Sequence, residues 1–184
     1  MPRLLPDLLF PSADFSIAEL HAARLDGELT AVDAGFAPLD CPSTVELRLR
    51  ALAPLLPESA IVERQSALWA YGFRPYPPLR HQACVHAGVG RRVPGSVRLQ
   101  VREVVLAEDD IVTRYGVPVT SLLRTAVDLA RSLPRVDDVE RGRLREILVA
   151  SHVTLPEATA MLDRCRSMPN KRRAMVRLTE ALAD

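Results

Sequence analysis

Apolar residues recur at helical spacing near the start of the chain. In SIAELHAAR (16–24), Ile17, Leu20 and Ala23 or Arg24 share one side. Ser16 stands at the N-cap and Glu19 follows three residues later, the pair that makes a capping box. Asp26-Gly27 breaks the pattern, and ELTAV, DAG and FAPL read as a two-stranded ribbon with Gly35 at the turn. A second helical period covers 43–56, with Ser43 as N-cap and Glu46 three residues on; Val45, Leu49 and Leu52 make its apolar face, extended by Leu55 and Leu56. A short apolar run, Ala60-Ile61-Val62, leads into a helix through Ser66, Trp69 and Ala70 that ends near Gly72. Arg74-Pro75-Tyr76-Pro77-Pro78 is too rich in proline for a helix or a central strand.

The middle of the chain changes period. HQACVHA (81–87) and VRLQVREVVL (97–106) read as strands, and in the second Val97, Leu99 and Val101 alternate with Arg98, Gln100 and Arg102, leaving one polar face. IVTR and VPVT, on either side of Tyr115-Gly116, supply two more. From Ser121 the spacing is helical again: Leu122, Ala126, Leu129 and Leu133 form one stripe, Arg124, Asp128 and Arg131 another. Further helices are expected at about 137–150, 155–167 and 171–183, the middle one opening on Pro156. The predicted fold class is α+β. A small helix–hairpin module (1–42) precedes a larger α/β unit (43–184) with a mixed sheet of three to five strands, flanking helices and a helical C-terminal third.

Composition narrows the function classes. The chain has 184 residues, 48% of them hydrophobic but only 4% aromatic, so the core is built from Leu, Val and Ala. No apolar run is long enough to span a bilayer, and Pro2, Pro6, Asp7 and Pro11 interrupt any signal-peptide pattern, so a cytoplasmic protein is expected. Cys41, Cys84 and Cys165 are too widely spaced for a disulfide framework or a metal knuckle. The net charge of +1 hides a gradient. Residues 1–60 carry four arginines against nine acids, residues 61–136 eleven against six, and residues 137–184 nine basic groups against eight acids. A nucleic-acid footprint is therefore expected in the middle or C-terminal part.

Candidate chemistry is sparse. His81, Cys84 and His86 sit close together, but on a strand His81 points away from the other two and no fourth ligand follows at zinc spacing, so no metal is expected. Nucleophile elbows, phosphate loops and paired-carboxylate signatures are missing, and a non-enzymatic protein without cofactors is expected. Arg91-Arg92 and Lys171-Arg172-Arg173 are candidate phosphate contacts, or else solvated loop and helix ends. The strongest local signal is VTSLLRTAVDLAR (119–131), a strand turning into an amphipathic helix whose Arg124 and Asp128 lie one turn apart. The pair reads either as part of a binding or catalytic site or as a structural clamp that includes Arg131. The clamp is favoured because no third polar group at fixed spacing completes a catalytic set.

That segment resembles the "TS-x-x-RT-x-x-DLAR" signature of AbiEi-like type IV antitoxins and their actinobacterial relatives. QSALWAYG (65–72) is similar to the group's "SAAWLHG" helix, and Leu20 to Ala37 to the end of its N-terminal winged helix. The resemblance spans roughly residues 16 to 182. It implies a DNA-binding module that represses its own operon, joined to an α/β domain needed for antitoxin action against a partner such as a nucleotidyltransferase-type toxin. In many relatives a restriction-endonuclease-like domain follows; a short form without it is expected here. The sequence departs from the family's winged helix, which would present Arg and Lys to DNA. The matching stretch offers Glu19, Asp26, Glu28 and Asp33, with only His21 and Arg24 as possible cations. A reduced winged-helix-like module is expected, with promoter contacts at Arg24, Arg91, Arg92, Lys171, Arg172 and Arg173. The alternative is a toxin-binding interaction protein whose DNA-reading region is vestigial.

Overall fold

The N-terminal hairpin is held by a two-residue turn. Strand β1 (Leu29–Val32) pairs antiparallel with β2 (Gly35–Pro38), Val32 opposite Gly35, so Asp33 and Ala34 make the turn, Asp33 with φ 52°. Gly35 is thus the first residue of β2 rather than part of the turn, and it is required for space. A Cβ there would lie 2.9 Å from Leu8 Cδ1 and 3.0 Å from the Leu9 carbonyl oxygen. Leu9 runs along the outer edge of β2, exchanging backbone hydrogen bonds of 2.7 and 2.8 Å with Phe36. Helix α1 (Ile17–Leu25) precedes the ribbon and carries the expected capping box: the Glu19 N–H donates to Ser16 Oγ, and the Ser16 N–H donates to Glu19 Oε2. These details come from a computed structural model that describes residues 6–12, 15–88, 95–164 and 169–183.

Helix α2 (Val45–Leu52) starts one residue later than the sequence predicts. Thr44, not Ser43, accepts from the Leu47 N–H, while Ser43 Oγ accepts from Arg48 Nε at 3.0 Å. Pro54 lacks the N–H that would continue the ladder to the Arg50 carbonyl, and the chain tightens into a 3₁₀ turn at Ala53–Leu55. A short strand β3 (Ile61–Val62) and helix α3 (Arg64–Ala70) follow. Strands β4 (His81–His86), β5 (Leu99–Val104), β6 (Ile111–Arg114) and β7 (Val117–Thr120) complete a five-stranded mixed sheet in the order β5-β4-β3-β7-β6. Tyr115 and Gly116, both at positive φ, turn β6 into β7.

Register decides which side chains share a face. Val62 pairs with Ala83 and Val119, while Ile61 pairs with Cys84 and Cys84 with Arg102. Partners across a ladder point the same way and neighbours along a strand alternate. One face therefore sends Val62, Val117 and Val119 into a cluster with Leu47, Leu49 and Leu52 of α2, Ala67, Trp69 and Ala70 of α3, and Leu8, Val32 and Ala37 of the N-terminal segment. The other face carries Ile61, Cys84, Val104 and Arg102.

The C-terminal third is helical as expected: α4 (Leu122–Ser132), α5 (Asp138–Ala150), α6 (Leu155–Arg164) and α7 (Lys171–Ala183). Ala126, Val127, Leu129 and Ala130 of α4 pack with Leu144, Ile147 and Leu148 of α5, Met161 and Leu162 of α6, and Leu178 of α7. Each such large aliphatic contributes about 1.5–3 kcal/mol on burial. Arg177 of α7 donates to the Ala130 and Leu133 carbonyls at 2.8 Å each, satisfying acceptors left over where α4 ends.

Candidate functional site

The polar stripe of α4 is buried. Arg124 and Asp128 are wholly enclosed and Arg131 is 8% exposed. Ser121 caps the helix, accepting from the Arg124 N–H, and its own N–H donates to the Asp110 carbonyl, which ties the helix start to the end of the preceding loop. Arg124 Nε donates to Asp128 Oδ2 at 2.9 Å and Nη1 to Asp110 Oδ2 at 2.7 Å. Arg164, from α6, reaches Asp110 Oδ1 at 3.1 Å and Asp109 Oδ2 at 2.7 Å. Asp110 also accepts from the Ala107 N–H, so this one carboxylate joins a loop, α4 and α6.

On the sheet side, Arg102 of β5 grips Glu63 with two hydrogen bonds of 2.6 Å each, and its Nη2 lies 3.5 Å from Asp128 Oδ2. Arg131 Nε stands 3.0 Å from Asp128 Oδ1, and Arg64 Nε 3.6 Å from Glu63 Oε1. The first is out of line for a hydrogen bond and the second is too long, so both are ion pairs only. The electrostatics follow from burial. It pulls the Arg131 and Arg64 pKa values down, with Asp128 and Glu63 respectively opposing the shift and neighbouring guanidiniums adding to it. Burial also works against the Arg102 charge, but the Glu63 fork outweighs it and the pKa rises. Burial, with Glu63 beside it, pushes the Cys84 thiol well up, so it stays protonated and inert.

Arg124, Asp128 and Arg131 thus come together as their spacing predicts, but the rest of the cage was not legible in the local pattern. Arg102 reads as part of a polar strand face; it is half-buried, with Glu63 and, 3.5 Å away, Asp128 as its partners. Glu63, Arg64, Asp110 and Arg164 arrive from other elements at no fixed spacing. The sequence signal for the cage is the charged stripe of Arg124, Asp128 and Arg131 on an otherwise apolar helix.

A second constellation also escaped the sequence reading. Ser66 Oγ lies 3.0 Å from His81 Nδ1, and His81 Nε2 lies 2.9 Å from Asp33 Oδ1, which also accepts from Arg98 Nη2 at 2.7 Å. The order serine, histidine, aspartate matches a nucleophilic relay. Ser66 and His81 are each only 1% exposed, and Ser66 Oγ already accepts from the Gln82 N–H. A substrate carbonyl has no approach to that hydroxyl. The relay instead ties the β1–β2 turn to the sheet. It also occupies both nitrogens of His81, while those of His86 face the Ala87 and Leu106 carbonyls. Among the described residues no group of three potential ligands converges on a metal.

The candidate DNA contacts sit elsewhere. Arg24 is exposed in the last turn of α1. Arg172 and Arg173 are exposed and Lys171 half-exposed in the first turn of α7, which holds no acid. Arg91 and Arg92 lie outside the described residues.

Residues 59–182 match the family model described as the AbiEi antitoxin C-terminal domain. That span begins just before β3, ends within α7 and contains the whole arginine–carboxylate cage. Among solved structures, the RV2827C protein from Mycobacterium tuberculosis is similar at 18% identity and a TM-score of 0.36, over 95% of this chain and 76% of that one. No curated protein matches the chain.

Proposed function

The chain belongs to the AbiEi antitoxin family, matched over residues 59–182, and from that premise we propose that it is a non-enzymatic, DNA-binding antitoxin-type regulator. The observation that carries the DNA-binding part is the first turn of α7. Lys171, Arg172 and Arg173 stand there, and that turn itself contains no acidic residue. Cations at a helix N-terminus oppose the macrodipole, each at about 0.3–1 kcal/mol when exposed. Phosphate placed at that end meets both the side-chain charges and the positive pole of the helix. The N-terminal module supports the same reading: α1 followed by the β1–β2 ribbon, with Leu9 edging β2, has the outline of a reduced winged helix. The acidic residues of that module, Glu19, Asp26, Glu28 and Asp33, favour α7 over the ribbon for these contacts, with Arg24 as a further candidate.

The test is fluorescence anisotropy with DNA from upstream of the protein's own gene, across a salt series. Binding should weaken steeply with salt, and replacing Lys171, Arg172 and Arg173 by Gln should reduce the log–log slope by roughly 0.9 per cation removed. Binding that is absent at low salt would sink the proposal.

A second reading is favoured by exposed apolar side chains. Leu79 and Val97 are almost fully exposed at the start of β4 and β5, with Tyr76 nearby in the proline-rich loop. They would suit a protein partner of the nucleotidyltransferase-toxin class. Co-purification with such a partner, lost on Leu79→Asp, is the outcome this reading requires.

A further inference from the structure

Among the described residues the cage holds more cation than anion. Arg64, Arg102, Arg124, Arg131 and Arg164 face Glu63, Asp109, Asp110 and Asp128, five guanidiniums against four carboxylates. An arginine cannot relieve such an imbalance by losing its proton. The surplus is localised: Asp109 and Asp110 answer Arg164 and Arg124, which leaves Arg64, Arg102 and Arg131 around Glu63 and Asp128. Cys84, beside them, stays a neutral thiol and does not supply the missing charge.

These three guanidiniums are also underused. Arg131, although nine-tenths buried, makes no hydrogen bond among the described residues; its Nε meets Asp128 off line. Among the described residues the one ion pair of Arg64 is its 3.6 Å contact with Glu63. Arg64 also holds φ 49°, a left-handed conformation that a long side chain rarely adopts, and it does so at the residue that brings its guanidinium to the cage. Glu63 takes the Nε and Nη2 of Arg102 and leaves Nη1. Shared carboxylates link the three arginines: Glu63 meets Arg64 and Arg102, and Asp128 meets Arg102 and Arg131. They come from three elements, β5, α3 and α4. A flat carboxylate fills one guanidinium fork; a tetrahedral oxyanion presents acceptors to several.

We propose that Arg64, Arg102 and Arg131 form a binding niche for phosphate, either the free ion or the monoester end of a nucleotide or nucleic acid. Asp128 and Glu63 hold the guanidiniums from behind, and the ligand supplies the negative charge the cage lacks. This niche is separate from the α7 cations and does not depend on operator binding.

The experiment is calorimetric titration of the 184-residue chain, at ionic strength fixed with sodium chloride, using inorganic phosphate, a 5′-phosphorylated dinucleotide, its unphosphorylated counterpart and acetate. Saturable phosphate binding is expected, weakened roughly 10- to 100-fold in Arg131→Gln, the loss of one charge-assisted hydrogen bond. Arg64→Gln should weaken it similarly, and because the Arg64–Glu63 pair is long this variant keeps the test open if Arg131→Gln fails to fold. Tighter binding of the phosphorylated dinucleotide, with none by its unphosphorylated form, identifies a monoester ligand; equal binding of free phosphate identifies the ion. The proposal is overturned if no phosphate compound gives saturable heat. It is also overturned if affinity is unchanged in both variants, or if acetate binds as tightly as phosphate.

Discussion

Replacing Arg124 by Leu tests whether the cage holds the helical third of the protein to the sheet. Arg124 is fully buried and serves two carboxylates, Asp128 at 2.9 Å and Asp110 at 2.7 Å. Leucine fills part of the space but leaves both acids without it. Breaking a buried pair in this way costs about 3–5 kcal/mol, mostly the desolvation of the abandoned charge. Asp110 keeps Arg164, and Asp128 keeps Arg102 and Arg131, so the expected loss is at the lower end, about 3 kcal/mol. For a chain of this length that lowers the midpoint of thermal unfolding by roughly 6–12 °C. Urea denaturation monitored by far-ultraviolet circular dichroism measures it directly. The control is Arg141→Gln. Arg141 also lies 2.9 Å from its aspartate, Asp138, but that carboxylate is almost wholly exposed. Exposed pairs contribute about 0–1 kcal/mol, so equal distances should give unequal losses. A loss below about 1 kcal/mol for Arg124→Leu, matching the control, would refute the argument that burial sets the strength of this network.

Two further outcomes follow from single contacts. Tyr71 donates its hydroxyl to the Thr120 carbonyl at 2.8 Å, and burial raises its pKa from 10.0 to about 12, with Arg114 opposing the shift. A folded-state pKa above the unfolded one means that the contribution is complete below pH 10 and is lost as pH rises towards 12, by up to about 2.7 kcal/mol. Tyr71→Phe should flatten the alkaline limb of stability against pH, and a limb unchanged by the substitution would contradict the assignment. Gly35→Ala places a methyl group against Leu8, Leu9 and Phe10 at 2.9–3.1 Å and should destabilise the protein by about 1–3 kcal/mol, read as a shift in urea midpoint; an unshifted midpoint would show that the segment before α1 yields freely.

The sequence reading succeeded where the determining contacts are local and partly failed where they are distant. The capping box of α1 lies within four residues, and it was legible. The α4 stripe was legible for the same reason: helical period alone puts Arg124, Asp128 and Arg131 on one side. At Ser43-Thr44 two adjacent hydroxyls offer the same cap, and only Arg48, which occupies Ser43, decides between them. The Asp33–His81 contact joins a turn to a strand 48 residues away, and Glu63 meets Arg102 across the sheet. No spacing rule announces either pairing, because both depend on strand order. Solvent exposure divides the basic side chains. Of the eleven arginines in residues 61–136, Arg64, Arg102, Arg124 and Arg131 are largely turned inward, whereas Arg172 and Arg173 of α7 face out.

Strand β3 is only two residues long, yet it is the centre of the sheet, paired to Cys84 and Ala83 on one side and to Val119 on the other. Its second neighbour is made long after it, and the residues that complete the cage around Glu63 and Arg64, Asp128 and Arg131, are made later still. During synthesis from the N-terminus the first hundred residues therefore leave the ribosome with an open central edge and unneutralised charge. Closing the parallel β3–β7 pair requires a long loop to be drawn together before it gains its contacts. The nascent chain consequently passes through a stage in which an extended segment or chaperone can occupy the place of β7, and the arrival of α4 ends that opportunity.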